Sequence, residues 1–165
     1  MDSPVEFTNK VFTEQLLQIG GMVNFSNEMG ANQIVFGRSP TARYGEGERP
    51  PVEIGQGILP VKLLGTISSD TSRQQFGIER RGNGPFMLIN YSKQALNLDG
   101  VSDGKRELAP GMTTKISPDA QGMQRVKIGW KGGCEVSVQS VGVGSNDERW
   151  QIGFVWKKPD LTSSR

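Results

Sequence analysis

Two stretches alternate between apolar and polar residues with the period of a β-strand. In Arg125-Val126-Lys127-Ile128 and in Glu135-Val136-Ser137-Val138-Gln139, every second residue is β-branched and apolar. Such a pattern gives a strand with one dry and one wet face, and it points Val126, Ile128, Val136 and Val138 inward. Short apolar runs bounded by glycine, proline or asparagine predict further strands at Gly21–Phe25, Gln33–Gly37, Ile58–Ile67, Gln74–Arg80, Phe86–Tyr91, Ala95–Leu98, Met112–Ile116, Gln124–Gly129, Cys134–Ser140 and Arg149–Trp156. Turn signals separate nearly all of them: Asn27 to Gly30, Arg81 to Pro85, Asp99-Gly100, Pro110-Gly111, Lys131-Gly132-Gly133 and Gly142 to Asn146. Near the N-terminus two readings stand side by side. Val5, Phe7, Val11, Phe12, Leu16 and Leu17 fall partly on a helical period, with Asp2 or Ser3 before Pro4 as a start, and the same stretch reads equally well as a loop feeding a strand over Glu14–Ile19.

Regular turn spacing without a long helical period predicts an all-β fold, an antiparallel β-sandwich or small barrel. The expected organisation is an N-terminal segment 1–13, a sandwich over 14–158 and a disordered tail at 159–165. Within the sandwich, Ser39–Gly57 is rich in Arg, Glu, Gly and Pro and is expected to be a long mobile loop or insertion. Trp130, Trp150 and Trp156 are expected in the core or on a sheet face, and Cys134 as a buried thiol.

Composition narrows the functions. Lys and Arg number 19 against 17 Asp and Glu, a net charge of +2, which argues against a general polyanion or nucleic-acid binder. There is no histidine and a single cysteine, so neither an internal disulfide, nor a histidine-based triad, nor a His/Cys zinc site can be built. No Gly-x-x-x-x-Gly-Lys-Ser/Thr phosphate loop and no Asp-x-Asp-x-Asp-Gly calcium loop occurs. Acidic pairs such as Glu46/Glu48 and Asp147/Glu148 read as solvated loop residues. With no nucleophile–base pair legible, the chain is expected not to be an enzyme and to need no cofactor or metal. No secretory signal and no apolar run of membrane-spanning length is present, and with one unpaired thiol the expected setting is cytoplasmic or nuclear.

Three segments carry candidate binding chemistry: Ile34-Val35-Phe36-Gly37-Arg38, Thr71-Ser72-Arg73-Gln74-Gln75-Phe76, and Phe86 to Gly100, which contains Asn90-Tyr91-Ser92-Lys93-Gln94-Ala95-Leu96-Asn97. In order and chemistry they resemble the forkhead-associated (FHA) domain, a β-sandwich whose loops bind phosphothreonine peptides. The family pattern is Gly-Arg, then Ser-Arg-x-His, then an Asn-rich stretch with two Asn-Gly turns. Gln75 stands in the place of the histidine, as glutamine does in some members. Gln94-Ala95-Leu96 replaces Asn-Gly-Thr, and Asp99-Gly100 replaces the second Asn-Gly.

The resemblance implies an adaptor that recognises phosphopeptides in signalling or assembly, through loops forming a binding rim. A phosphate carries roughly −1.5 to −2 charge at neutral pH and strong acceptor oxygens, which guanidinium, hydroxyl and backbone N–H groups match. Arg38 would pack under the binding loops, Ser72 would donate its hydroxyl to phosphate and Arg73 would make the charge-assisted contact. Gln94 would take the place of the asparagine that fastens the peptide backbone. Lys93 and Asn97 would read flanking peptide residues, while Gly37, Gln75, Ser92 and Gly100 would support the loops. Among small members, self-association through an N-terminal phosphothreonine points to Thr8 or Thr13, a head-to-tail contact that forms open assemblies where the rotation does not close. The competing expectations are a structural sandwich of a larger assembly, of viral coat or tail type, and a lipid-binding sandwich. The second would want aromatics clustered in loops, whereas most aromatics here fall in predicted strands.

Overall fold

The computed structural model describes residues 10–80, 84–101, 104–116, 125–143 and 149–157. Two six-stranded sheets face each other. One runs in the order β1 (Gln15–Leu17), β4 (Ile58–Leu63), β3 (Gln33–Gly37), β5 (Phe76–Glu79), β6 (Phe86–Asn90) and β9 (Thr113–Ile116). The other runs β2 (Met22–Ser26), β12 (Trp150–Lys157), β11 (Cys134–Val143), β10 (Val126–Trp130), β7 (Leu96–Asp99) and β8 (Glu107–Leu108). The all-β sandwich expected from the pattern is the architecture of the chain. Val126, Ile128, Val136 and Val138 are buried, as their alternation demands, and so are Trp130, Trp150, Trp156 and Cys134.

All pairings in the second sheet are antiparallel, but in the first β4 lies parallel to both β1 and β3. A parallel return needs roughly a dozen residues or more, and the long segment 38–57 supplies that length. Of the ambiguous N-terminal stretch, the described part is extended, with Gln15 paired to Val61 and Leu17 to Leu63, while Val5, Phe7 and the expected helix start at Asp2 to Pro4 lie outside the described residues. The strand expected over Ile58–Ile67 stops at Leu63. There the Thr66 hydroxyl donates back to Leu63 O (3.3 Å) and Gly65 turns at φ +83°. β8 was not anticipated. Expectations for Thr8, for Asp147 and Glu148 and for the tail 159–165 fall outside the described residues, and no described helix is long and apolar enough to cross a membrane.

An aromatic chain joins the sheets. Phe36 stacks on Phe76 at 4.8 Å and meets Phe154 edge-on at 5.0 Å; Phe76 meets Trp130, which stacks on Trp156 at 5.7 Å. Each such pair contributes about 0.5–1.5 kcal/mol beyond burial. Register places the chain ends of β3, β4, β6, β10 and β12 and the starts of β2, β5, β7 and β11 at one end of the sandwich. The connections crossing this rim are the β1–β2 turn, the start of the β3–β4 loop, the β4–β5 loop (64–75), the β6–β7 loop (91–95), the β8–β9 turn (109–112) and the β10–β11 turn (131–133).

Candidate functional site

The β4–β5 loop is fastened from three sides. From β3, Arg38 N donates to Ser72 O (2.9 Å), Ser39 N to Arg73 O (3.1 Å), and Arg38 Nε to Thr71 O (3.0 Å). From below, Trp130 Nε1 donates to the Thr71 hydroxyl (2.9 Å) and Trp156 Nε1 to Leu64 O (2.8 Å). Within the loop, Ser72 N donates to Gln75 Oε1 (2.8 Å), and Gln75 N reaches back to Phe36 O (2.7 Å). The glycine before Arg38 follows from this closeness: a Cβ on Gly37 would lie 1.9 Å from Arg73 O. Arg38 and Gln75 therefore hold loop backbone. Gln75 Nε2 is buried with no hydrogen-bond partner among the described residues.

The β6–β7 loop is a second knot. Asn90, fully buried, donates from Nδ2 to Gln94 O (2.8 Å) and Leu108 O (2.9 Å), and its Oδ1 accepts from Ser92 N (2.9 Å) and the Ser92 hydroxyl (2.7 Å). Gln94, thus placed, crosses to the neighbouring loops. Its Nε2 donates to Asp70 O (2.6 Å) and its Oε1 accepts from Lys131 N (3.4 Å). The Gln94 amide is spent on joining three loops.

Between these loops lies an open concavity of about 240 Å³, lined by Ser68, Ser69, Asp70, Thr71, Ser72, Lys93, Gln94 and Lys131. Lys93 and Lys131 are exposed and come from different loops, so two lysines and several hydroxyl-bearing residues border one small space. Asp70 adds an opposing carboxylate, packed against the Gly132 backbone: a Cβ on Gly132, at φ +76°, would lie 2.5 Å from Asp70 Oδ2.

The residues singled out in the sequence thus separate into groups. Ser72, Lys93 and Gln94 line the concavity; Gly37, Arg38, Gln75 and Ser92 brace its walls. Arg73 does not line it, because its guanidinium lies over the Tyr44 ring at 4.8 Å, on the long loop. Asn97 is exposed on β7 and lines a different groove with Asp99, Lys127 and Glu135 over Gly129. Gly100, at φ +94°, packs against Arg125 O at the opposite end of the sandwich. The sequence reading missed Lys131, whose Lys-Gly-Gly context signalled only a turn.

Next to the loops, Tyr91 is held by a hydrogen bond from Gln33 Nε2. Burial, outweighing that bond and assisted by the nearby Glu79 charge, pushes its phenol up to about 12. Among the described residues no group of three or more acidic or thiol side chains is placed to hold a metal ion. No protein-family model, no curated protein and no solved structure matches the chain.

Proposed function

We propose that this chain is a non-catalytic adaptor that binds phosphothreonine peptides in the manner of FHA domains. One observation carries the reading: segments ending at Arg38, starting at Ser72 and centred on Gln94, far apart in sequence, meet around a single cation-bordered concavity. In this reading the Ser72 hydroxyl and the Lys93 and Lys131 ammonium groups take the phosphate, and Arg38 and Gln94 keep the loops in place. Arg73, carried on Tyr44, flanks the site. Two lysines are point charges with no fixed fork, so the phosphate is held by several modest contacts. Partners are phosphothreonine-bearing proteins in the cytoplasm or nucleus. A second copy of the chain is one of them if Thr8 is the phosphorylated residue. Thr13 is the poorer candidate, since it sits between Phe12, packed on the core, and Glu14, which accepts from the Thr41 hydroxyl (2.8 Å).

The test is titration of the protein with paired phosphothreonine and unphosphorylated peptide libraries. Wild type should prefer the phosphorylated set. Ser72→Ala, and Lys93→Ala combined with Lys131→Ala, should each lose roughly threefold to tenfold of that preference, since single hydrogen bonds and exposed charge pairs contribute about 0.5–1.5 kcal/mol. Equal binding of both libraries by wild type refutes the reading and returns the chain to a structural sandwich.

A further inference from the structure

Gly129 is a glycine that the fold does not require. It lies inside β10, paired with Asn97 of β7 on one side and with Glu135 of β11 on the other, and the register runs through it without a shift. Its backbone is not in the left-handed region. A Cβ added there would lie 3.4 Å from Cys134 O and 3.9 Å from Asn97 O, which are ordinary contact distances. Gly77, also paired on both sides, differs, because a Cβ there would press on the Tyr91 ring at 2.7 Å. A glycine inside a strand costs stability through its conformational freedom, and it marks a bulge, a bend or a place where something approaches the backbone closely. The unbroken pairing of β10 leaves the last of these.

That place is the floor of the groove on the outer face of the second sheet. The groove measures about 410 Å³ and is bordered by Asn97, Asp99, Lys127 and Glu135, a size that holds a small ligand. Asn97 and Glu135 stand one strand to either side of Gly129, roughly 10 Å apart from the spacing of strands. One ring-sized group therefore fits flat on the glycine between two polar side chains. The Ser137 hydroxyl donates to Glu135 Oε2 (3.0 Å) and steadies that carboxylate. Charges around the groove are matched in register: Lys127 faces Asp99, and Glu135 faces Lys157 of β12. A simple ion gains little there, whereas a neutral ligand with several hydroxyl groups meets carboxylate and amide acceptors together with ammonium and amide donors. We propose that the groove over Gly129 binds a neutral, hydroxyl-rich ligand of one or two sugar rings. It shares no lining residue with the concavity, so the inference stands apart from the phosphopeptide reading.

The experiment titrates the isotope-labelled full chain with maltose, cellobiose, N,N′-diacetylchitobiose and, as a cationic comparison, arginine amide, following amide chemical shifts by NMR. At least one disaccharide should move the Gly129 backbone and Asn97 side-chain amides saturably, with a dissociation constant near the millimolar range. Gly129→Ala should weaken that binding roughly tenfold or more, because its methyl stands where the ligand lies. The same variant should melt at an unchanged or higher temperature, the reverse of what a structurally required glycine gives. Asn97→Ala and Glu135→Gln should each weaken binding roughly threefold to tenfold. Silence of these amides toward every disaccharide overturns the proposal, as does a Gly129→Ala protein that melts lower or that binds as wild type does. A saturable response to arginine amide alone assigns the groove to a cation and overturns it as well.

Discussion

Gly37 shows how little freedom the rim has at the level of single residues. An alanine there would drive its methyl into the Arg73 carbonyl and onto the Gln74 Cα, both backbone atoms of a loop tied to β3 on either side. Gly37→Ala should cost about 2 kcal/mol or more in chemical denaturation, since backbone cannot swing aside as a flexible side chain can, and phosphopeptide binding should be lost with it. Tyr91 allows a test with a definite sign. Its phenol is raised by burial to about 12 from an ordinary value near 10, so the folded chain holds this proton more tightly than the unfolded chain does. The associated stability is fully present below pH 10 and is lost as pH rises from about 10 to about 12. Tyr91→Phe should remove that part of the alkaline loss in denaturation midpoints measured across the window. At this scale the sequence was readable where chemistry is local. The Gly-Arg pair and Ser72 announced a rim. The diversion of Arg73 onto Tyr44 was hidden, because it depends on the path of a loop with no periodicity.

Among the elements, the segment 39–57 is the least regular and yet is firmly held. Gln74, buried at the start of β5, donates to Pro40 O (3.0 Å) and Val52 O (2.7 Å) and accepts from Val52 N (2.9 Å). One side chain thus pins both arms of the loop. Gln74→Leu leaves these backbone groups without partners and should cost about 2–4 kcal/mol. It should also open the Arg43–Tyr44 bond to trypsin, which limited proteolysis of both proteins would display as a new early fragment. The strands themselves were legible because alternation and glycine-bounded apolar runs report burial directly. Two elements resisted. β1 is three residues long and is extended only because β4, far along the chain, lies beside it. β8 is two residues long and follows Lys105-Arg106, so it carries no apolar pattern and exists through its pairing with β7.

At the scale of the whole molecule, the two ends of the sandwich differ. One gathers the lysines of the concavity and the start of the pinned loop; the other is turned by Gly100 against the backbone at Arg125. Because the cations at the rim are exposed, phosphopeptide affinity should fall as salt rises, which titrations at low and high sodium chloride would display. The indoles beneath the rim carry a practical consequence. Trp130 gives its only N–H to Thr71, the neighbour of Ser72, and lies stacked on Trp156, which holds Leu64 in the same loop. Any ligand that pulls on Ser72 also changes the polarity and bonding around these two fluorophores. Occupancy of the pocket is thereby written into the intrinsic emission of the unlabelled protein, and a Thr71→Val substitution would erase much of the signal.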